Sequence, residues 1–369
     1  MTIAPVTQPA ARRETTSLRA SIILVNYNGG DELVACLASL YADPHCRDYE
    51  VILVDNGSHD GSACLAARQF PHLTVLPSEE NLGFGGANNL AAQYAAGPVL
   101  AFLNPDTVVQ PGWLQALLQA LQSDPRAGLA TSKVLLHADP RRLNTAGNDV
   151  HLSGLTLCRG LNQPANAYDA PAEVSAVSGA AFAVRRDLFR QLDGFDASYF
   201  MYFEDTDLSL RARLAGHRCL YVPQSVVRHH YRLHFGPQKT YYEERNRYVT
   251  LLKLYRPSTL LLLLPALLLA ELITWGFVLL RDRPHWRNKL RAYRALWRQR
   301  RAILAVRRRV QATRRCTDRA LLQNSTHRLA FEQTGAGLVA RLAHLLFDPL
   351  FALQRRLLLA FLPALEKRR

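Results

Sequence analysis

Residues 21–30, Ser-Ile-Ile-Leu-Val-Asn-Tyr-Asn-Gly-Gly, decide the reading of the fold. Five residues form an apolar, β-prone run without alternation, and the run then breaks at once into Asn, Tyr and Gly. A strand apolar on both faces is buried on both faces, the condition of a parallel sheet covered by helices. The same shape returns as VILV at 51–54, LTVL at 73–76 and VLAFL at 99–103. Helix-like stretches lie between these runs, at 32–41, 61–70 and 86–96. The order β-α-β-α-β-α-β predicts a doubly wound α/β sheet. In such sheets ligands bind beyond the carboxyl ends of the strands. There this chain places Asn26-Tyr27-Asn28, then Asp55-Asn56-Gly57-Ser58, then Asn81 with Gly83, Gly85 and Gly86, then Asn104-Pro105-Asp106. Asn, Gly and Asp are ordinary turn residues. Four such clusters on one rim of one sheet point to a single binding crevice.

Further along, 110–122 reads as a helix with Pro111 early in it. From 127 to 176 the pattern weakens into short strands and loops. Residues 199–216 open with aromatics and continue as a helix closed by Gly216. The runs 220–222 and 225–227 read as short edge strands that deliver His229. The segment FEDTDLSLR at 203–211 packs Glu204, Asp205 and Asp207 into four positions of a basic chain. A helix start tolerates acids, because they suit its positive end. Like charges this close also push carboxyl pKa values up.

The chain has 369 residues, 49% of them hydrophobic, and a formal net charge of +15. That length fits one large or two modest domains with a substantial core. The basic excess concentrates in 281–319, where Asp282 and Asp318 are the only acids. It points to an anionic partner. Cys36, Cys46, Cys64, Cys158, Cys219 and Cys316 form no CxxC and no zinc spacing, which fits a reducing compartment. Residues 1–20 lack the apolar core of a signal peptide and read as a loose leader. Residues 259–280, TLLLLLPALLLAELITWGFVLL, are long enough to cross a bilayer. Their flanks are basic on both sides, so a simple span would export the Arg-rich stretch. The expectation is a re-entrant or interfacial helical hairpin hinged near Pro265, the alternative a buried helix of a soluble core. Residues 338–365 suit an amphipathic helix on anionic lipid. The expected organisation is therefore a leader at 1–20, an α/β domain at 21–250 and a basic, hydrophobic, membrane-associating helical tail at 251–369.

In order, VNYNGG, DNGSHDGS, NLGFGGANN, NPD, SGAAFAVRRDLF, GFD and FEDTDLSLR resemble the family 2 glycosyltransferases, over about 21–231. The nearest branch is the rhamnosyltransferase-like enzymes of bacterial surface polysaccharide assembly. The resemblance implies a GT-A fold, a nucleotide-sugar donor such as dTDP-rhamnose or a UDP-sugar, Mg²⁺ or Mn²⁺, and inversion at the anomeric carbon. It further implies a lipid-linked glycan acceptor at the cytoplasmic face of the bacterial inner membrane, with the tail against an anionic membrane surface. Asp106 stands where the last acid of the family's DxD motif holds the metal, while Asn104 replaces the first acid. His229 matches the histidine that completes the metal site in several relatives, with His230 behind it. Asp55 matches the acid that reads the nucleotide base, and Asn26 and Tyr27 line that pocket. Asn56 belongs to the same cluster. Asn81, Gly83, Gly85 and Gly86 bring backbone close to the nucleotide, and Gly179 admits the donor sugar. Asp205 is the expected general base, Glu204 the second candidate, and Asp207 a structural acid. The chemistry agrees, since a divalent cation neutralises a leaving diphosphate and inversion needs one carboxylate to take the acceptor's proton.

Two other classes fit less well. A nucleic-acid binder would use the 281–319 stretch, but its aromatics are few and no known nucleic-acid motif appears. A nucleotidyltransferase would want a cation beside the first strand, and 26–30 has none.

Overall fold

The computed structural model describes residues 18–232, 236–331 and 337–366. Residues 1–17 of the expected leader lie outside the described residues. The first half follows the expected alternation: β1 (Ala20–Asn26), α1 (Gly30–Tyr41), β2 (Tyr49–Asn56), α2 (Ser62–Gln69), β3 (Thr74–Ser78), α3 (Gly83–Tyr94) and β4 (Val99–Leu103). β3, β2, β1 and β4 lie side by side and parallel. Ile23, Leu24, Leu53 and Phe102 are buried, with one apolar core on each face of the sheet. β1 and β2 pair in a register that sets Asn26 beside Asp55, so the first two rim clusters meet.

The chain continues through β5 (Thr107–Val109), α4 (Trp113–Ser123), β6 (Ala127–Leu136), β7 (Leu143–Thr145), β8 (Asn148–Val150), β9 (Thr156–Cys158), β10 (Ala172–Glu173), β11 (Ala181–Arg185), α5 (Arg186–Gln191), α6 (Glu204–Leu214) and β12 (Arg218–His229). β11 inserts antiparallel between β4 and β6, giving the order β10-β12-β6-β11-β4-β1-β2-β3, while β5 pairs with β12 and β7 with β6.

Three local expectations change. The weak stretch after 127 opens with β6, a strand of ten residues in the middle of the sheet. Its polar Thr131, Ser132 and Lys133 hid it. They are buried with partners, Thr131 Oγ1 donating to the Ala181 carbonyl (3.0 Å) and Ser132 Oγ meeting Ser225 Oγ (2.7 Å). Residues 220–222 and 225–227 are not edge strands but one strand, β12, with β6 on one side and β10 and β5 on the other. The register slips between Val222 and Val226, and Pro223 sits in that bulge, where its missing N–H costs no ladder bond. Pro111 precedes α4 rather than entering it, and Gly112, at φ +80°, caps the helix.

Five helices follow: α7 (Pro237–Leu254), α8 (Pro257–Arg281), α9 (Trp286–Ala312), α10 (Asp318–Gln323) and α11 (Leu338–Glu366). The boundary expected at 250 falls inside α7. Leu210 and Leu214 of α6 share one apolar cluster with Leu251, Leu263, Leu322 and Phe351, so the tail is built onto the α/β half. α8 runs unbroken through Pro265, and the hairpin expected there does not form. The reason is the face opposite Pro265, where Leu263, Ala266, Leu267 and Ala270 are all buried and hold the turns on both sides of the missing hydrogen bond in one helix. Glu271 is an internal ligand rather than a lipid-facing charge. Arg247 and Tyr248 of α7, and Lys289 and Tyr293 of α9, all reach its carboxylate. Outward, α8 exposes Leu261, Leu264, Leu268 and Leu272, and α11 exposes Leu342, Leu345, Leu346 and Leu353. Among the described residues, α8 is the one helix long and apolar enough to cross a membrane.

Candidate active site

The rim is assembled by asparagines. Asn26 is buried, donates to Ser58 Oγ (3.0 Å) and Ser62 Oγ (2.9 Å), and accepts from the Gly29 N–H (3.1 Å). Its polar atoms are consumed in shaping the loop that presents Tyr27, which is 53% exposed. Asp55 stays half-buried beside it. Asn56 is buried and fastens the third rim loop to the second. Its amide donates to Asn81 Oδ1 (3.0 Å), its carbonyl accepts from the Leu82 N–H (2.8 Å), and Asn81 Oδ1 also accepts from the Gly83 N–H (2.8 Å). Gly83 takes a left-handed φ of +71°, and a Cβ there would lie 2.3 Å from the Phe200 carbonyl oxygen. At Gly85 and Gly86 the nearest neighbours of a Cβ are the side chains of Phe195 and Leu82. The close approach these glycines permit in the folded chain is therefore to protein, chiefly the 195–200 segment.

Asp106 and His229 are 123 positions apart and are joined by the β5–β12 pairing, which sets Thr107 opposite His229. His229 Nε2 lies 3.2 Å from Asp106 Oδ2, while His229 Nδ1 bonds Asn144 Oδ1 (2.8 Å). With the ring proton on Nδ1, donated to Asn144, Nε2 presents a lone pair towards a carboxylate. Asp106 Oδ1 is buried without a hydrogen-bond partner. Two electron-rich groups facing each other beside an orphaned oxygen fit a divalent cation. No third His, Cys, Asp or Glu joins them among the described residues, so ligand oxygens would complete the shell. His230 turns elsewhere, stacking on His137 (3.6 Å) and lying 3.7 Å from Glu32. Asn104 is half-buried, and its backbone is pinned by Ala180 (3.0 Å) and Thr107 (2.7 Å).

The acid cluster opens α6 after a turn in which Phe200, Tyr202 and Phe203 all have positive φ, between +63° and +73°. Such residues cost about 1–3 kcal/mol each and persist only when their surroundings over-determine them. Here the determinant is Asn246 of α7. It is fully buried, and its amide donates to the carbonyls of Tyr199 (3.1 Å), Met201 (2.9 Å) and Tyr202 (2.9 Å). Asp205 Oδ2 accepts from the Gly179 N–H (2.7 Å) and from Asn148 (3.3 Å), and Oδ1 accepts from the Thr206 N–H (2.6 Å). Burial raises its pKa despite these hydrogen bonds. Burial, with the Asp205 charge second, pushes the Glu204 carboxyl up to about 8. The like-charge expectation holds for Glu204, as a contribution second to burial, while Asp205 is raised by burial. Asp207 is wholly buried, 2.7 Å from Arg211 and from Lys253, and accepts from the Tyr199 hydroxyl (3.1 Å), which makes it the structural acid expected.

Asn144, Asn148, Asn246 and Lys253 were not foreseen. The first two lie in the weakly patterned stretch 127–176. Asn246 lies inside EERNR at 243–247 and Lys253 six residues beyond it, and a charged run of this kind gives no sign of the burial both side chains have in the fold.

A family model described as glycosyl transferase family 2 matches residues 21–193. The chain is 35% identical over 232 residues to an N-acetylglucosaminyl-diphospho-decaprenol L-rhamnosyltransferase of Mycobacterium tuberculosis, covering 57% of this chain and 75% of the relative. It is 29% identical to the rhamnosyltransferase WbbL of Escherichia coli, covering 55% and 80% respectively. The crystal structure of GalNAc-T7 with UDP, GalNAc and Mn²⁺ superposes with a TM-score of 0.53 at 21% identity, over 64% of this chain. That match spans 48% of the solved chain and bears on the fold alone.

Proposed function

The chain belongs to glycosyl transferase family 2, with the GT-A fold, and from that premise we propose that it moves rhamnose, with inversion, from a nucleoside-diphosphate donor to a hydroxyl of a lipid-linked glycan. The observation that carries the reading is that the Asp106–His229 pair and the Glu204–Asp205 pair are tied to one segment, the Asn104 N–H donating to the Ala180 carbonyl and the Gly179 N–H to Asp205. Tyr27 and Asp55 receive the nucleotide, and the loops fixed by Asn26, Asn56 and Asn81 hold their shape. Asp106 and His229 would hold Mg²⁺ or Mn²⁺, the imidazole favouring Mn²⁺. Bound there, the cation supplies charge neutralisation to the departing diphosphate. Asp205 takes the proton of the acceptor hydroxyl as its oxygen bonds the anomeric carbon, and the bond to the diphosphate oxygen breaks on the opposite face. Its raised pKa makes it a stronger base than a solvated carboxylate. Gly179 keeps the sugar side of this carboxylate open, since a Cβ there would lie 3.2 Å from Asp205 Oδ2.

The tail supports attachment at the cytoplasmic face of the inner membrane. α8 is bonded side-on to α7 and α9 through Glu271, so crossing the bilayer would drag buried arginine and lysine with it. The exposed leucines of α8 and α11 lie instead on the lipid surface, with α9 supplying positive charge to anionic headgroups. The acceptor in the name of the Mycobacterium tuberculosis relative, N-acetylglucosaminyl-diphospho-decaprenol, supports the same placement.

The test is a donor screen on purified full chain with dTDP-rhamnose, UDP-hexoses and GDP-mannose, with and without Mn²⁺ or Mg²⁺. The expected outcome is metal-dependent binding and hydrolysis of dTDP-rhamnose above the others. Selectivity for another donor would replace rhamnose, and no binding of any donor by folded protein would sink the reading.

A further inference from the structure

A groove runs between α7 and α9, lined by Tyr241 and Tyr242 on one wall and by Arg291, Arg294, Arg298 and Gln299 on the other. The three arginines stand at i, i+3 and i+7, one stripe of the helix. Arg291 donates to the amide oxygen of Asn288 (3.0 Å), and among the described residues none of the three is ion-paired. An arginine run on a helix is usually a solvated face. These three instead share a concave wall with tyrosines, where a bound anion would relieve their mutual repulsion. Guanidinium forks match the oxygens of a phosphate or diphosphate.

Two neighbours say where such an anion would come from. On one side Tyr242 stacks on Phe200 (5.5 Å), the first residue of the left-handed turn that delivers Glu204 and Asp205. On the other, α9 exposes Trp286, Leu290, Trp297 and Leu304, spaced by four and seven residues and so on a single stripe beside the arginines. Exposed tryptophan and leucine along a basic helix suit the membrane–water boundary. The groove therefore lies between a membrane-facing stripe and the catalytic turn.

We propose that this groove holds the diphosphate of the lipid-linked acceptor, with the lipid leaving along the Trp286–Trp297 stripe and the sugar reaching towards Asp205. The proposal rests on the acceptor reading given above and adds the site that would recognise that acceptor.

The experiment uses the full chain in detergent with farnesyl diphosphate as the probe. Wild type should bind it, inorganic pyrophosphate should compete, and farnesol should not. R291Q/R294Q/R298Q, all on exposed positions, should weaken binding by about tenfold or more. Unchanged binding in the triple variant overturns the proposal. So does a loss caused by Asp55→Ala in place of the arginines, which would put the probe in the donor crevice. An equal loss of binding to phosphatidylglycerol vesicles overturns it too, since the arginines would then be reading bulk headgroups. In transfer assays the triple variant should raise KM for a sugar–diphospho–lipid about tenfold while donor hydrolysis and transfer to an alkyl glycoside of the same sugar stay unchanged. If wild type glycosylates neither acceptor yet binds farnesyl diphosphate through the arginines, the groove stands and the acceptor reading falls.

Discussion

Glu204 and Asp205 are adjacent in the chain, yet their surroundings separate them. Asp205 accepts four hydrogen bonds from outside its own residue, while Glu204 Oε2 is buried with none. With a pKa near 8, Glu204 keeps its proton at neutral pH, so Glu204→Gln imitates its resting state. The variant should retain most transfer at pH 7, whereas Asp205→Asn should lose about 10² to 10⁴ in rate with donor affinity kept. A collapse of E204Q and survival of D205N would exchange the two roles. The linkage sign is also fixed. A folded pKa raised above the unfolded value leaves more protons on the folded state between about pH 4.5 and 8. Stability therefore falls as pH rises through that window, and E204Q should melt above wild type at pH 9 but not at pH 4. At this scale the acids were legible, because charge crowding is written in adjacent letters. The partners that divide their labour were not, since Asn148 and Gly179 lie 57 and 26 positions away.

α7 acts on the active site without lining the nucleotide rim. Its Asn246 holds three carbonyls of the turn before α6, and its Lys253 bridges Asp196 and Asp207 at 2.7 Å each. Burial alone would raise the Asp196 carboxyl, but the Lys253 charge holds it down to about 2. The turn carries three residues at positive φ, so it depends on this clamp to stay folded. Asn246→Ala should lower kcat by about a hundredfold through misplacement of Asp205, with donor affinity near wild type. Equal loss of donor binding would mean that the variant disturbs the whole rim. The sequence reading places no helix over 237–254, and the service of α7 to carbonyls 44 to 47 residues earlier leaves no periodic mark.

The chain as a whole joins an α/β sheet to a helical platform through one shared core. We expect the platform to lie on the membrane rather than through it. Alkaline carbonate should strip the protein from vesicles, and Leu261→Glu with Leu268→Glu and Leu345→Glu should abolish flotation while sparing donor hydrolysis. Retention after carbonate would show that α8 spans. What the sequence by itself determined is the parallel half of the sheet, the Asn, Gly and Asp clusters on its rim, and the crowding of Glu204 and Asp205. Those features rest on short apolar runs, turn residues and clustered charge, all set by near neighbours. Only the tertiary structure decided that β6 and β12 are central, that α8 stays one helix through Pro265 and keeps Glu271 inward, and that Asn144 orients the His229 ring beside Asp106. Each depends on a partner far along the chain, where packing and hydrogen bonding override local propensity.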